Sequence, residues 1–477
     1  MKNITLANAA MVCRGTLYGM EEGSADLAAR EASCVVIDSR KMEKGGIFIA
    51  TKGEKVDGHS FISSVAGKGA LGVICERKPE NCQVPYILVE DSFKALQALA
   101  EFYRRQLSVL VVGITGSVGK TSTKEFIAGV LSEKYSVLKT QGNFNNEIGL
   151  PLTVLSIREE HQVAVLEMGI SDFGEMHRLS KIARPDLCVM TNIGQSHLEN
   201  LGSRDGILQA KSEIFDFMDP DGYILVNGDD DKLSGLSQKG NHAPLHFGFD
   251  PANEIYASHV LNKGLHGTEA VIHAKVNHYD LTITVEIPLP GEHMVRNALA
   301  AAGVGFLMGL DGKEVAEGIS HVKSVGGRSH VIELAGCTLI DDCYNANPVS
   351  MQVALDLLAT VQGRKVAILG DMFELGEGQE RFHGDLGAYA VDVGIDLLIC
   401  AGRLSAHMYE RGKRQKEEKQ ADIEIHYFPE REEMLSRLSG LLKKDDVILV
   451  KASHGMQFEK VVEAIVKLPV LGYTDKY

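Results

Sequence analysis

Residues 109–131 read VLVVGITGSVGKTSTKEFIAGVL. The apolar run from Val109 to Ile114 suits a buried strand, and the segment after it turns the chain. KEFIAGVL then continues at helical spacing, with Phe126, Ile127, Val130 and Leu131 on one side. Gly113 and Gly119, followed by Lys120 and Thr121, resemble a phosphate loop, with five residues rather than four between the two glycines. Each residue type has a physical role. Glycines let the backbone N–H groups of Gly116, Ser117, Val118 and Gly119 turn inward around a polyphosphate. The helix that starts at Lys120, Thr121 and Ser122 adds partial positive charge. Lys120 reaches towards the outer phosphates, and Thr121 offers a hydroxyl to Mg²⁺. The plainer reading is a glycine-rich turn that binds nothing. The strand before it and the helix after it favour nucleotide binding.

Outward from this stretch, the 477 residues predict about three domains. A net charge of -15, from 64 acids against 49 bases, argues against nucleic acid as the main partner. An anionic nucleotide still fits a locally positive pocket. The cysteines at 13, 34, 75, 82, 188, 337, 343 and 400 never form C-x-x-C. Neither a zinc site nor a thioredoxin-like pair is signalled, and the scatter fits a reducing compartment. The opening MKNITLANAAMVC resembles a signal peptide only weakly, because Asn3, Thr5 and Asn8 break its apolar core. No apolar run approaches the length of a membrane span. The expectation is a cytoplasmic protein.

The pattern is α/β throughout. In residues 1–107, VVIDSR, GGIFIAT, ALGVICE and VPYILVED read as strands, and Ser92–Gln106 reads as an amphipathic helix. From 108 to 328, strands and helices alternate around the phosphate loop. VAVLEMG ends in Glu167, and LCVMTNIGQSHLENLGS runs into a polar loop holding His197. ILQAKSEIF carries Lys211. The period then changes: Tyr279, Leu281, Ile283, Val285 and Ile287 alternate with polar residues. That predicts a small β-rich part around 245–290. Residues 329–477 hold a further α/β set, with strands in VIELAGCTLIDD, RKVAILGDM, DLLICAG and DDVILVKAS. The charge run RGKRQKEEKQ reads as a solvated helix end or loop.

Three polar residues lie where such folds gather ligands. Glu167, at a strand's end, occupies the place of a metal-ordering acid, usually Asp, or is a structural carboxylate. His197 reads equally as a ligand and as a satisfied structural histidine. Lys211 by itself reads as a surface lysine. In the first domain, Asp38-Ser39-Arg40 ends a strand, either at a ligand or as a turn with a surface ion pair. An Asn-Lys-x-Asp motif for guanine is absent from the sequence.

Longer motifs carry a resemblance. IDSRKMEKGGIFIATKGEKVDGHSF lies in the first part. GITGSVGKTSTKE, TQGNFNNEIGLPLTVL, LEMGIS, TNIGQSHLENLGS and AKSEIF lie in the second, and IDDCYNANPVSM and LGDMFELGEG in the third. Together they resemble the Mur ligase family. The resemblance implies a UDP-substrate domain over 1–107 and an ATP-binding phosphate-loop domain over 108–328. It implies a Rossmann-like ligase domain over 329–477. NFNNEIGLPLT and GDMFELG point to members that add D-alanyl-D-alanine to UDP-N-acetylmuramoyl-tripeptide. An ATP-driven acyl phosphate would be the intermediate, in peptidoglycan precursor synthesis. The Arg-containing motif expected of the sibling that adds the third amino acid is absent from the sequence.

By the same resemblance, Gly116 to Ser122 hold ATP's phosphates, with Lys120 and Thr121 central. Thr121 and Glu167 order a first Mg²⁺, and His197 binds a second. Lys211 matches a lysine carried as a CO₂-derived carbamate, whose anionic oxygens suit Mg²⁺. Asn145 or Asn146 lies near the phosphates, Asn297 near adenine, Arg328 near the γ-phosphate and Asp342 near the ribose. Ser39 and Arg40 contact the UDP portion, and the dipeptide binds around Asn345 and Asn347. A monomer is expected. Four positions depart from the family pattern: Met294 for Asn, Cys343 for Ser, and Ala452 and His454 for Gly and Arg. The rivals are a folylpolyglutamate synthase type of ligase and a non-ligase phosphate-loop NTPase switch.

Overall fold

The computed structural model describes residues 1–20, 25–80, 82–239, 242–276 and 279–468. Its strands form sheets of five, nine and six. Residues 21–24 and 81 of the first predicted region, 240–241 and 277–278 of the second and 469–477 of the third lie outside the described residues. In the first sheet Val35–Val36, Ile47–Ile49, Gly72–Cys75 and Tyr86–Leu88 run parallel. A short edge strand, Thr16–Tyr18, pairs antiparallel with the last of them.

The central sheet places the opening motif at its switch point. Leu110–Thr115 lies between Val163–Glu167 and Leu187–Met190, parallel to both. Chain connections diverge to opposite sides there, which opens a crevice beyond the strands' C-terminal ends. The residues predicted as a β-rich part do not form a separate unit. Leu245–Gly248, Ile255–Asn262, Thr268–Val276 and Tyr279–Ile287 extend the same nine-stranded sheet, the last two pairings antiparallel. Alternation marks these strands because only one face is covered: Val285 and Ile287 are buried, whereas Asp280 and Glu286 are exposed.

The third sheet sets Cys337–Asp341, Asp446–Lys451 and Arg364–Gly370 side by side in parallel. Their C-terminal ends carry Asp342, Lys451 and Asp371. All of the charge run except its last residue, Gln420, lies in helix Ser405–Lys419, which is mostly exposed over its second half. No described helix is long and apolar enough to cross a membrane.

The joints between the sheets differ. Helix Ser92–Arg104, capped by Asp91 at the Phe93 and Lys94 N–H groups, buries Leu96, Leu99 and Tyr103. One apolar cluster runs from Ile4 and Ile47 through this helix to Leu150, Leu166 and Leu179 of the central domain. The Tyr103 hydroxyl donates to the Ile157 carbonyl at 2.7 Å, and Arg104 Nε to that of Ala183 at 2.8 Å. The first two domains therefore share a core. The third has its own on both faces of its sheet.

The phosphate-loop helix, Lys120–Ser132, is held from outside by helix Gly312–Ser320 at backbone contact. A Cβ on Gly318 would lie 2.4 Å from the Val130 Cα. Alanine raises helix propensity by up to about 1 kcal/mol over glycine. Overpacking against a backbone that cannot swing aside costs about 1–3 kcal/mol. Gly318→Ala is therefore expected to lower stability, read as a reduced urea midpoint at unchanged slope. A higher midpoint would show that the helices part freely.

Candidate active site

The central and third domains face one another across a cleft of about 1150 Å³. The phosphate loop lies at its base. Gly116 has φ +151°, and a Cβ there would fall 2.0 Å from Thr191 Oγ1, so only glycine fits. The loop is laced to the end of the adjacent strand. Ser117 N–H donates to the Asn192 carbonyl at 3.0 Å, Val118 N–H to Asn192 Oδ1 at 2.9 Å, and Thr191 Oγ1 to the Val118 carbonyl at 2.5 Å. Gly119, at φ +83°, then releases the chain into the helix. Among the described residues, the N–H groups of Lys120, Thr121 and Ser122 have no protein acceptor. An open helix start of this kind is a site for an anion. Lys120 Nζ donates to the Gly116 carbonyl at 2.9 Å. Burial pulls its pKa below the ordinary lysine value, against the pull of Glu167.

Glu167 is 1% exposed. Thr121 Oγ1 donates to its Oε2 at 2.8 Å, and Asn145 Nδ2 to its Oε1 at 2.8 Å. Of the two candidate asparagines, Asn145 thus touches the acid. Asn146 spends its Oδ1 on the N–H groups of Ile148 and Gly149. Glu167 N–H donates to Thr140 Oγ1 at 3.0 Å, and the Thr140 carbonyl takes the buried Lys124 ammonium at 2.7 Å. Thr121 and Glu167 offer oxygens of the kind a hard divalent cation takes.

Lys211 is not the surface lysine its sequence context suggests. It is 1% exposed and has no hydrogen-bond or ion-pair partner among the described residues. Burial, reinforced by the nearby Lys120, pushes its pKa well below the lysine range, which favours the uncharged amine. His197 lines the cleft at φ +59°, but its Nδ1 pairs with Glu374 of the third domain at 2.7 Å. No group of three or more His, Cys, Asp or Glu side chains is poised for a metal among the described residues.

Across the cleft, Arg328 stacks 4.0 Å over the Tyr344 ring. Asp342 takes Lys451 Nζ at 2.6 Å and Ser329 N–H at 2.9 Å. Lys451 Nζ also donates to the Asn345 carbonyl at 3.0 Å. Asn347 caps helix Pro348–Ala359, and its Nδ2 donates to Ser196 Oγ at 3.2 Å. Asn297 accepts from Thr123 Oγ1 at 2.9 Å, directly behind Gly119. Its Nδ2 donates to Met294 Sδ at 3.4 Å, which gives one departure from the family pattern a local role. Cys343 and Ala452 are buried, and His454 lies against Tyr344 with ring centroids 5.7 Å apart.

Ser39 and Arg40 are not among the residues lining this cleft. The Arg40 side chain is 88% exposed, and its hydrogen bonds hold the Asp38 carboxyl down to about 2. Their link to the centre is indirect: Lys41 sits 5.7 Å over Phe144, on the loop carrying Asn145.

The sequence reading missed His293, Tyr344 and Lys451. His293 had a signal, because it directly precedes Met294 in the segment already singled out. Its buried Nδ1 has no partner among the described residues, and desolvation lowers its pKa to about 4.

Fold and cleft define a phosphate-loop nucleotide enzyme with an α/β domain on either side. Three family models match the chain: "Mur ligase family, catalytic domain" over 31–104, "Mur ligase middle domain" over 114–305 and "Mur ligase, glutamate ligase domain" over 327–454. The chain belongs to the Mur ligase family. It is 38% identical to the UDP-N-acetylmuramoyl-tripeptide–D-alanyl-D-alanine ligase of Bacillus subtilis, over 98% of this chain and 99% of that one. A crystal structure of MurF from Acinetobacter baumannii superposes with a TM-score of 0.85 at 30% identity, covering 96% and 98% of the two chains. MurF ligase from Thermotoga maritima in complex with ADP superposes at 0.77 and 32% identity, covering 90% and 96%.

His293 makes the cleft acid-sensitive. Its folded pKa of about 4 lies below its ordinary value of 6.5. Stability from the neutral ring is therefore complete above 6.5. It falls as acid protonates the unfolded chain first, and levels off below about 4. Between pH ~7 and ~5 this amounts to about 2 kcal/mol. His293→Gln is expected to lose less stability than the parent over that interval, measured by urea unfolding at both pH values. Parallel losses would assign the acid sensitivity to other groups.

Proposed function

We propose that this chain joins D-alanyl-D-alanine to UDP-N-acetylmuramoyl-tripeptide at the expense of ATP, releasing ADP and phosphate and forming the pentapeptide precursor of peptidoglycan. The observation that carries this is that the open phosphate loop, Arg328 at the entry to the third domain, and the third domain's Asn345 and Asn347 line one cleft. Full-length likeness to ligases named for this reaction supports it.

A carboxylate is a poor acyl donor, because its leaving group would be oxide. Transfer of the γ-phosphoryl group to the tripeptide's carboxylate makes an acyl phosphate, whose leaving group is phosphate. The dipeptide's amine attacks the acyl carbon, and the tetrahedral adduct expels phosphate to give the amide. In this reading the N–H groups from Gly119 to Ser122 bind the outer phosphates, Lys120 turns from the Gly116 carbonyl to them, and Arg328 meets the γ-phosphate. Asn297 and His293 lie on the base side, and Asp342 on the ribose side. Ser39 and Arg40 meet the UDP group, and Asn345 and Asn347 the dipeptide. Thr121 and Glu167 would hold one Mg²⁺, with His197 and a carbamate on Lys211 beside a second. Such ions, when bound, neutralise the phosphates and the acid that must meet them. The uncharged Lys211 amine suits carbamate formation: its nitrogen adds to CO₂, a proton leaves, and an anionic oxygen pair results.

Release of phosphate from ATP should require both UDP-N-acetylmuramoyl-tripeptide and D-alanyl-D-alanine. Release indifferent to the dipeptide would sink the ligase reading and favour an NTPase switch. A folylpolyglutamate synthase type of ligase would instead accept glutamate, which NFNNEIGLP and GDMFELG speak against.

Lys211→Ala should abolish turnover, by about 10²-fold or more for an essential charged group. Small carboxylates should restore part of it. Full activity in the variant would remove the carbamate from the mechanism.

A further inference from the structure

The segment LGDMFELGEG, 369–378, supplies no atom to the reaction proposed above, yet it reaches the site. It leaves strand Arg364–Gly370 and is pinned from behind by its own domain. Met372 N–H donates to His383 Nε2 at 2.9 Å, and Phe373 N–H to Ser453 Oγ at 2.9 Å. Glu374 then adopts φ +63°, and its Oε2 lies 2.7 Å from His197 Nδ1. Gly376 packs beside Glu199, so close that a Cβ on it would lie 3.6 Å from the Glu199 Cα. One residue before His197, Ser196 is held by Asn347. The third domain thus grips the His197 loop at two adjacent residues.

Two features separate this contact from an incidental ion pair. Non-glycine residues at positive φ are uncommon, and here two of them meet side chain to side chain across a domain boundary. The Glu374 side chain is also 61% exposed. An exposed pair contributes at most about 1 kcal/mol to stability, so cohesion does not explain the strained backbone on both sides. Orientation does. An imidazole whose Nδ1–H is held by a carboxylate keeps its lone pair on Nε2, the arrangement by which proteins aim a histidine at a cation.

We propose that Glu374 is a positioning residue. It takes the Nδ1–H of His197 and fixes the imidazole with Nε2 free in the cleft, and it does so only while the third domain is docked. The proposal rests on His197 acting as a ligand in the reading above. It also gives GDMFELG a role, since the domain that receives the amine then sets the histidine on the nucleotide side.

The test uses the full chain labelled with ¹⁵N-histidine, free of nucleotide and metal, with His197→Gln to assign the His197 signals. The parent should show the Nδ1–H tautomer at His197. Glu374→Ala should shift it towards Nε2–H, and Glu374→Gln, whose amide oxygen still accepts, should retain it. In turnover, Glu374→Ala should lower kcat by about 10–100-fold, with KM for ATP changed less than about twofold and with Glu374→Gln between it and the parent. An unaltered His197 tautomer in Glu374→Ala, or a kcat equal to or above the parent's, would overturn the proposal. The second outcome would make the contact a restraint that turnover must break. The tautomer readout needs neither ATP nor dipeptide. It therefore decides the positioning claim independently of whether phosphate release requires the dipeptide, which tests the ligase reading alone.

Discussion

A carboxylate removed from water must have its lone pairs met inside the protein, and Glu167 sets that requirement at the centre of this molecule. Thr121 meets one oxygen and Asn145 the other. The first partner comes from the phosphate-loop helix, so strand Val163–Glu167 must lie beside strand Leu110–Thr115. The second comes from the 140–146 turn, which the buried Lys124 holds through the Thr140 carbonyl. Strand order, loop path and helix position are thus three ways of satisfying one acid. Gly116 follows from the same geometry: the loop passes so close to Thr191 that no side chain fits.

The two outer domains are attached by different physics. The first shares an apolar core with the centre through helix Ser92–Arg104, with buried hydrogen bonds from Tyr103 and Arg104. Parting them would expose a continuous apolar surface. The third meets the cleft loops through single polar contacts, Asn347 with Ser196 and Glu374 with His197. Contacts of that kind form and break at little cost. The chain into the third domain passes Gly327 and Ser329, at φ +74° and +46°, directly beside Arg328. The apolar area thus joins the first domain to the central one, whereas polar contacts join the third to the cleft loops.

Much of this was legible in the sequence, because local patterns specify local structure. The phosphate loop, its strand and its helix follow from glycine spacing and periodicity. The antiparallel strands near 245–290 announced themselves by alternation. What the pattern could not give was whether they formed a separate unit, since sheet continuity is set by pairing partners distant in sequence. The edge strand Thr16–Tyr18 was illegible because, unlike the equally short Ile47–Ile49 and Tyr86–Leu88, it carries no buried apolar run. Lys211 was misread as a surface lysine on physical grounds alone, because a helical lysine carries no local mark of what will cover it. Asn145 and Asn146 could not be told apart, since neighbouring residues with the same side chain differ only in which way the folded turn points them.

The charge balance of the cleft ties these observations together. Arg328 faces Lys120 across the cleft and Lys211 lies buried near Lys120, close enough that Arg328 lowers the pKa of Lys120 and Lys120 that of Lys211. Three like charges with Glu167 as counter-charge would repel one another in a low-dielectric site. A polyphosphate bound at the loop would relieve Lys120 and Arg328, but Lys211 sits buried with no acceptor of its own among the described residues. Loss of its proton removes the repulsion, and conversion to an anion would turn the least comfortable cation of the site into a counter-charge for the other two. The cost of burying Lys211 without a partner among the described residues is therefore best understood as the cost of keeping an amine uncharged beside Lys120.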